Sequence, residues 1–144
     1  MEIRRNARMY AVQAIFQYFF NKQDICSVIN QFSSYKVESG TEKKKSYDEK
    51  FFSLIVKGVD ANKIFIKELI EENLSSQWNY NRIDITLKAI LSLGIFELKN
   101  CKDIPLKVII DEYVTISKMY CNNNNIGFIN GILDNIGKKV RTDE

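Results

Sequence analysis

From Ile3 to about Asn21, apolar residues return every three or four positions. Ala7, Ala11, Ala14, Ile15 and Tyr18 recur at helical spacing, and Gln13 and Gln17 mark a narrow polar strip. Val12, Phe16, Phe19 and Phe20 occupy the other sides, so this first helix is expected to be enclosed by neighbours over most of its length. Asp24 reads as the cap of a second helix over residues 24–34, with Ile25, Val28, Ile29 and Phe32 on one face. The stretch KVESGTEKKKS has too little apolar content for either period and reads as a solvated loop. Helical spacing then returns over residues 47–59 (Phe51, Leu54, Ile55) and 62–74 (Ile66, Leu69, Ile70).

The segment SSQWNYN separates two halves, approximately 1–77 and 78–144, of one domain. Asn81 or Asp84 starts the next helix, in which Ile83, Leu87, Ile90, Leu91 and Leu98 have core character, and NCKDIP stops it. Pro105 suits the first turn of a following helix capped by Asp103, which runs to about Tyr120 through Val108, Ile109 and Ile116. NNNN reads as a turn, and residues 126–136 close the chain with Phe128, Ile129, Ile132, Leu133 and Ile136 inward. No stretch sustains the alternation of a half-buried strand. The expectation is an all-α domain of six or seven helices.

Composition agrees with that pattern. A chain of 144 residues suits one domain, able to bury about 68–70 % of its extended-chain surface. A single Pro and six Gly favour long helices over a turn-rich sandwich. The net charge of +3 is unevenly spread: residues 1–45 carry eight Lys/Arg against four Asp/Glu, whereas 82–144 carry nine against eight. The complete lack of His removes His bases, His metal ligands and Ser–His or Cys–His nucleophile pairs together. Cys26, Cys101 and Cys121 lie far apart, so neither a metal site nor a disulfide framework is expected, but buried reduced thiols. No cofactor is implied. The longest apolar run, AILSLGIFEL, is about half of what a membrane span needs. The expectation is a cytoplasmic protein with no membrane contact.

Two segments carry candidate chemistry. In RRNAR, the side chains of Arg4, Arg5 and Arg8 fall within an arc of roughly 100° on a helix. Arg is unfavourable at a helix N-terminus, whereas a guanidinium fork binds phosphate and stacks on bases. With Tyr10 and Phe16 following, the mixture suits single-stranded RNA; the alternative is that the arginines only solubilise a helix end. In KMYCNNNNIGFINGILD, Phe128 stands at a helix start beside backbone N–H groups that favour anions. The alternative makes Phe128 core, Gly127 and Gly131 devices for close helix approach, and the Asn run a cap and turn. Asn130 requires hydrogen-bond partners if buried. Lys43, Lys44 and Lys45 read as a solvated charge run, and the adjacent Asp111 and Glu112 make a poor acid–base pair. No catalysis is expected.

Taken in order, these segments resemble one family. RRNARMYAVQAIFQYFF looks like the opening Arg-rich helix of the NusB family of transcription antitermination factors. The middle, from Trp78 through DITLKAILSLGIFEL, is similar to that family's W…R…LRLALYEL segment; DIPLKVIIDEYVTISKMY resembles its next helix, and FINGILD its FVNGVLD motif. The register holds from about residue 4 to 140, with only a loose match over 24–75. The resemblance implies two small helical bundles. It also implies binding of the single-stranded boxA element of nascent ribosomal RNA together with the ribosomal protein NusE, in an assembly with RNA polymerase and other Nus factors. By position it assigns RNA contact to Arg4, Arg5, Arg8 and Phe128, with the loop Asn123, Asn124 and Asn125 near the RNA. NusE is expected around Leu87, Lys88 and Leu91. Some family members form homodimers that cover the arginine surface. Asn6, Ser92 and Gly127 depart from the pattern, each standing where a basic residue is frequent. Two other readings are a protein-only or self-associating adaptor, and the RNA-binding domain of a ribosomal RNA cytosine methyltransferase. The latter is set aside because this chain shows no Gly-rich cofactor loop. The arginines and Phe128 are expected to converge on one strip of surface.

Overall fold

Four short polar side chains set where helices begin. Asp24 accepts hydrogen bonds from the N–H groups of Cys26 and Ser27, at 3.1 and 3.3 Å. Asp48 takes that of Phe51 at 3.0 Å, Asp84 that of Thr86 at 2.8 Å, and Asn122 that of Asn125 at 3.0 Å. Each oxygen satisfies a donor that lacks a partner in the first turn. The structure, a computed structural model, describes residues 2–38 and 47–141. Over these the chain forms α1 (Glu2–Asn21), α2 (Ile25–Glu38), α3 (Glu49–Ala61) and α4 (Lys63–Glu72), then a short 3-10 turn (Tyr80–Arg82), and α5 (Ile85–Asn100), α6 (Leu106–Ser117) and α7 (Asn123–Val140). No strand occurs among the described residues. The all-α expectation holds, with seven α-helices. Lys43, Lys44, Lys45 and the rest of the expected loop over 39–46 lie outside the described residues.

Helix α5 is the axis. All eight residues from Leu91 to Leu98 are buried, because α5 packs against α1, α3, α4, α6 and α7. Glycines let the neighbours approach. A Cβ on Gly58 of α3 would stand 2.2 Å from Cε1 of Phe96, and one on Gly94 would stand 2.9 Å from Leu133. Gly137 meets Leu106 and Leu98 in the same way. Gly127 and Gly131, the glycines expected to permit close approach, face open space instead. Gly58→Val should therefore cost about 1–3 kcal/mol through overpacking, read as a lowered urea midpoint.

The pairings fix direction. Arg8 meets Glu97 while Phe19 shares a cavity with Ser92, so α1 runs antiparallel to α5. Gly94 meets Leu133 and Gly137 meets Leu98, so α7 runs parallel to it.

Several boundaries differ from expectation. Helix α2 continues past residue 34 to Glu38. Helix α6 begins after Pro105 without a side-chain cap, so Asp103 does not cap it, and it stops at Ser117. Helix α7 begins at Asn123 and runs to Val140, which makes Asn123, Asn124 and Asn125 its first turn rather than a loop. Helix α1 is not enclosed on all sides: Phe16 and Phe20 are exposed, Phe20 by 64 %, and their rings stack 5.9 Å apart. Leu54 and Val108 also face solvent.

Candidate nucleic-acid interface

The first turns of α1 hold three arginines in three environments. Arg4 is half exposed; its Nε lies 3.8 Å from Oδ2 of Asp48 and its guanidinium 4.6 Å from the centre of the Phe51 ring. Arg5, equally exposed at 48 %, donates from Nε and Nη2 to the two oxygens of Glu112, at 3.0 and 2.8 Å. Arg8 is only 4 % exposed. Its Nε and Nη2 donate to Glu97 at 2.8 and 2.9 Å, and Nη1 lies 3.7 Å from Glu112. Arg8 thus departs from the expectation of a three-arginine surface patch. Its side chain points into the helix bundle and its fork is committed to a carboxylate, because an unpaired charge there would be prohibitive.

The resulting ladder runs Arg5, Glu112, Arg8, Glu97, with the Tyr113 hydroxyl closing it on Glu97. Burial alone would disfavour the charge on Arg8, but its hydrogen bonds and proximity to Glu97 outweigh that and hold it protonated. Hydrogen bonding from Arg5 holds the Glu112 carboxyl below its ordinary range against an opposing effect of burial. Burial, then the charge of Glu97, keeps the Tyr113 hydroxyl protonated far above neutral pH. At this end of α1, Arg4 and Arg5 are the guanidinium groups that solvent reaches.

Phe128 lies elsewhere. It stands on the second turn of α7, half-buried, with its ring stacked on that of Trp78 at 4.8 Å and 30°. Asn123 and Asn124 are exposed on the preceding turn, and Asn125 is half-exposed. Asn130 is exposed too, so it has no buried amide to satisfy. Because Leu133 meets Gly94, Phe128 is level with about residue 89 of α5, whereas Arg8 is level with Glu97. Eight residues of helix separate those levels by about 12 Å. The structure therefore gathers the arginines at the C-terminal end of α5 and Phe128 with Trp78 beside its N-terminal half. Helix α6 packs against both α1 and α7.

The expected partner residues divide. Leu87 and Leu91 are buried in the core, so no partner reaches them without opening the bundle. An apolar run that covers every side of a helix marks it as buried, and α5 has one from Ala89 to Leu98 broken only by Ser92, Gly94 and Glu97. Lys88 is half-exposed, its Nζ 4.5 Å from the centre of the Tyr80 ring. Three further residues were not singled out by pattern: Trp78, Glu97 and Arg141. A lone Glu in an apolar helix was the available signal for Glu97. Of the thiols, Cys101 is buried and pushed up to about 11 by that burial, Cys121 is half-buried, and Cys26 is exposed, contrary to the expectation for it. Among the described residues, no three His, Cys, Asp or Glu side chains cluster as metal ligands do, and no helix is long and apolar enough to cross a membrane.

Comparison with known proteins agrees with the fold. Residues 5–138 match the NusB family. The chain is 37 % identical over 140 residues to the transcription antitermination protein NusB of Caulobacter vibrioides, covering 96 % of this chain and 94 % of that one. Among solved structures it resembles T. maritima NusB, at 30 % identity and a TM-score of 0.80, over 94 % of this chain and 90 % of that one. A NusB in a complex of antitermination factors NusB and NusE with double-stranded RNA shares the fold, with a TM-score of 0.79 at 22 % identity over 96 % and 98 % of the two chains.

Proposed function

This chain belongs to the NusB family of transcription antitermination proteins, and from that premise we propose that it binds single-stranded boxA RNA of nascent ribosomal transcripts together with NusE. The role is binding without catalysis, in the cytoplasm, within an assembly that holds RNA polymerase and other Nus factors. The observation that carries this reading is the half-exposure of Arg4 and Arg5 at the open end of α1. A guanidinium so placed can exchange its carboxylate for a phosphate, because both present the same pair of oxygens to its fork. Arg8 supports the site from within by anchoring α1 on α5. Phe128 and the exposed Asn123 and Asn124 form a second contact region farther along the bundle.

With Leu87 and Leu91 buried, NusE docks beside Lys88 rather than on those leucines. Exposed apolar side chains on the helices that pack against α5 include Phe16 and Phe20 of α1 and Ile64 of α4. Phe19, the neighbour of Phe20, lines one cavity with Ile64 and Tyr80, over which Lys88 lies. A homodimer that covers the arginine end would compete with RNA.

Labelled boxA RNA titrated with and without NusE, at several salt concentrations, tests the reading. Replacing Arg4 and Arg5 together with Ala should lower the log–log salt slope by about 1.4, from roughly 0.7 per phosphate contact. An unchanged slope removes the arginines from the interface. Equal affinity for a scrambled strand removes boxA as the target.

A further inference from the structure

One face of Phe128 is already taken by Trp78, which leaves the indole as the outward aromatic surface of that pair. Trp78 is 46 % exposed. It stands in the connection between α4 and α5, beside an open cleft of about 360 Å³ whose lining includes Glu71, Ser75, Gln77, Asn79 and Tyr80. Such a combination of a flat aromatic wall with amide and hydroxyl groups suits a planar, hydrogen-bonding ligand. We propose that this cleft takes one unstacked nucleobase of the bound RNA, stacked on Trp78 and hydrogen-bonded along its edge by the side chains of the 71–80 segment. The inference rests on the RNA-binding reading above and adds a site to it.

The charges favour a base over a phosphate. Among the described residues, no Lys or Arg lines the cleft, and one carboxylate, Glu71, does. A carboxylate repels phosphate but accepts from an exocyclic amino group, as Glu and Asp do toward cytosine. Uracil has no such group, so the cleft discriminates against it. Burial and the nearby Glu71 charge raise the Tyr80 hydroxyl above its ordinary range, so it remains a hydrogen-bond donor at neutral pH. Cations wait on the adjoining side: the Nζ groups of Lys67 and Lys88 lie 5.2 and 4.5 Å from the centre of the Tyr80 ring. Neither makes an ion pair with a carboxylate among the described residues. Base in the cleft and backbone phosphate on these lysines together define a nucleotide-sized site.

The chain contains a single Trp, so intrinsic fluorescence reports on this position alone. Short oligocytidine and oligouridine strands, followed by labelled-strand anisotropy and by Trp emission, provide the test. Oligocytidine should bind more tightly than oligouridine and quench the emission at saturation. Trp78→Ala should weaken oligocytidine binding roughly 5- to 150-fold, the range for losing one stacked base. Trp78→Phe, which keeps an aromatic face, should retain most of the affinity, and if the Ala variant fails to fold, Trp78→Leu, which keeps apolar bulk without that face, should show the loss in its place. Glu71→Ala should abolish the preference for cytidine over uridine while leaving the salt slope intact. Binding seen by anisotropy without a change in Trp emission overturns the inference and leaves the RNA-binding reading standing. The same follows if neither Trp78→Ala nor Trp78→Leu alters affinity. If the wild-type chain binds neither these strands nor boxA RNA at low salt, both fall.

Discussion

Replacing Arg8 with Ala should lower the free energy of unfolding by about 3–5 kcal/mol, because it strands a carboxylate in the core. Glu97 is wholly buried and the Arg8 fork meets both of its oxygens. The Tyr113 hydroxyl also donates to Glu97, but one neutral donor does not replace a bidentate cation. A loss of that size is a large share of the about 5–15 kcal/mol margin of an ordinary domain. It would appear as a collapsed urea transition and not as a selective loss of RNA affinity. Arg4→Ala and Arg5→Ala, at half-exposed positions, should shift stability by no more than about 1 kcal/mol. Changing the buried pair and its hydroxyl neighbour together, Arg8→Met with Glu97→Leu and Tyr113→Phe, should recover most of the loss, since replacing a buried polar network by packed apolar groups is often neutral. An Arg8→Ala protein that melts like the wild type would show that Glu97 does not depend on it.

That contrast explains why residue type misleads at the start of the chain. Arg4, Arg5 and Arg8 look alike as composition, and all three lie within one arc of the helix. Position along α1 separates them. Arg8 stands one and two turns before Ala11 and Ile15 on the buried stripe, whereas Arg4 and Arg5 precede the point at which α5 ends. The complementary signal was a single acidic residue, Glu97, inside ten otherwise uncharged positions of AILSLGIFEL. A lone Arg and a lone Glu on two apolar helices are a pair waiting for a tertiary contact, and only packing reveals it.

Helix content is legible because the apolar period is strong and because Asp24 and Asp84 mark helix starts chemically. The apolar pattern places the start of α7 three residues late for a reason equally local. Asn favours turns through the same side-chain oxygen that makes it a cap. Only Asn122 plays that role, and Asn123, Asn124 and Asn125 enter the helix behind it. Trp78 gave no periodic signal at all, since it lies in a connection between helices. Its importance follows from the Phe128 ring behind it and the cleft before it.

Arg141→Ala should cost about 3 kcal/mol, although Arg141 lies three residues beyond the segment that matches the family. Its guanidinium donates to four main-chain carbonyls: Nε to Leu98 at 2.7 Å, Nη1 to Ile104 at 2.6 Å, and Nη2 to Glu97 and Cys101 at 3.3 and 2.8 Å. Helix α5 ends there, and the last carbonyls of a helix lack partners within it. A cation is also favoured at that pole. The carbonyls of Glu97 and Cys101 still accept from the N–H groups of Cys101 and Ile104, so removing the fork strips its donor chiefly from Leu98 and Ile104, at about 1–3 kcal/mol for each one that water does not reach. Arg141→Lys should recover only part of the loss, because one ammonium cannot span carbonyls on both sides of the α5–α6 turn. Glu97 belongs to the same turn of α5 as these carbonyls, so loosening it also loosens the anchor of Arg8. The effects of Arg8→Ala and Arg141→Ala should therefore be non-additive, with a coupling of about 0.5–3 kcal/mol in a double-mutant cycle followed by urea denaturation. Strict additivity would mean that the two ends of the chain stabilise α5 independently, and that the carboxyl-terminal arginine plays no part in holding the amino-terminal one in place.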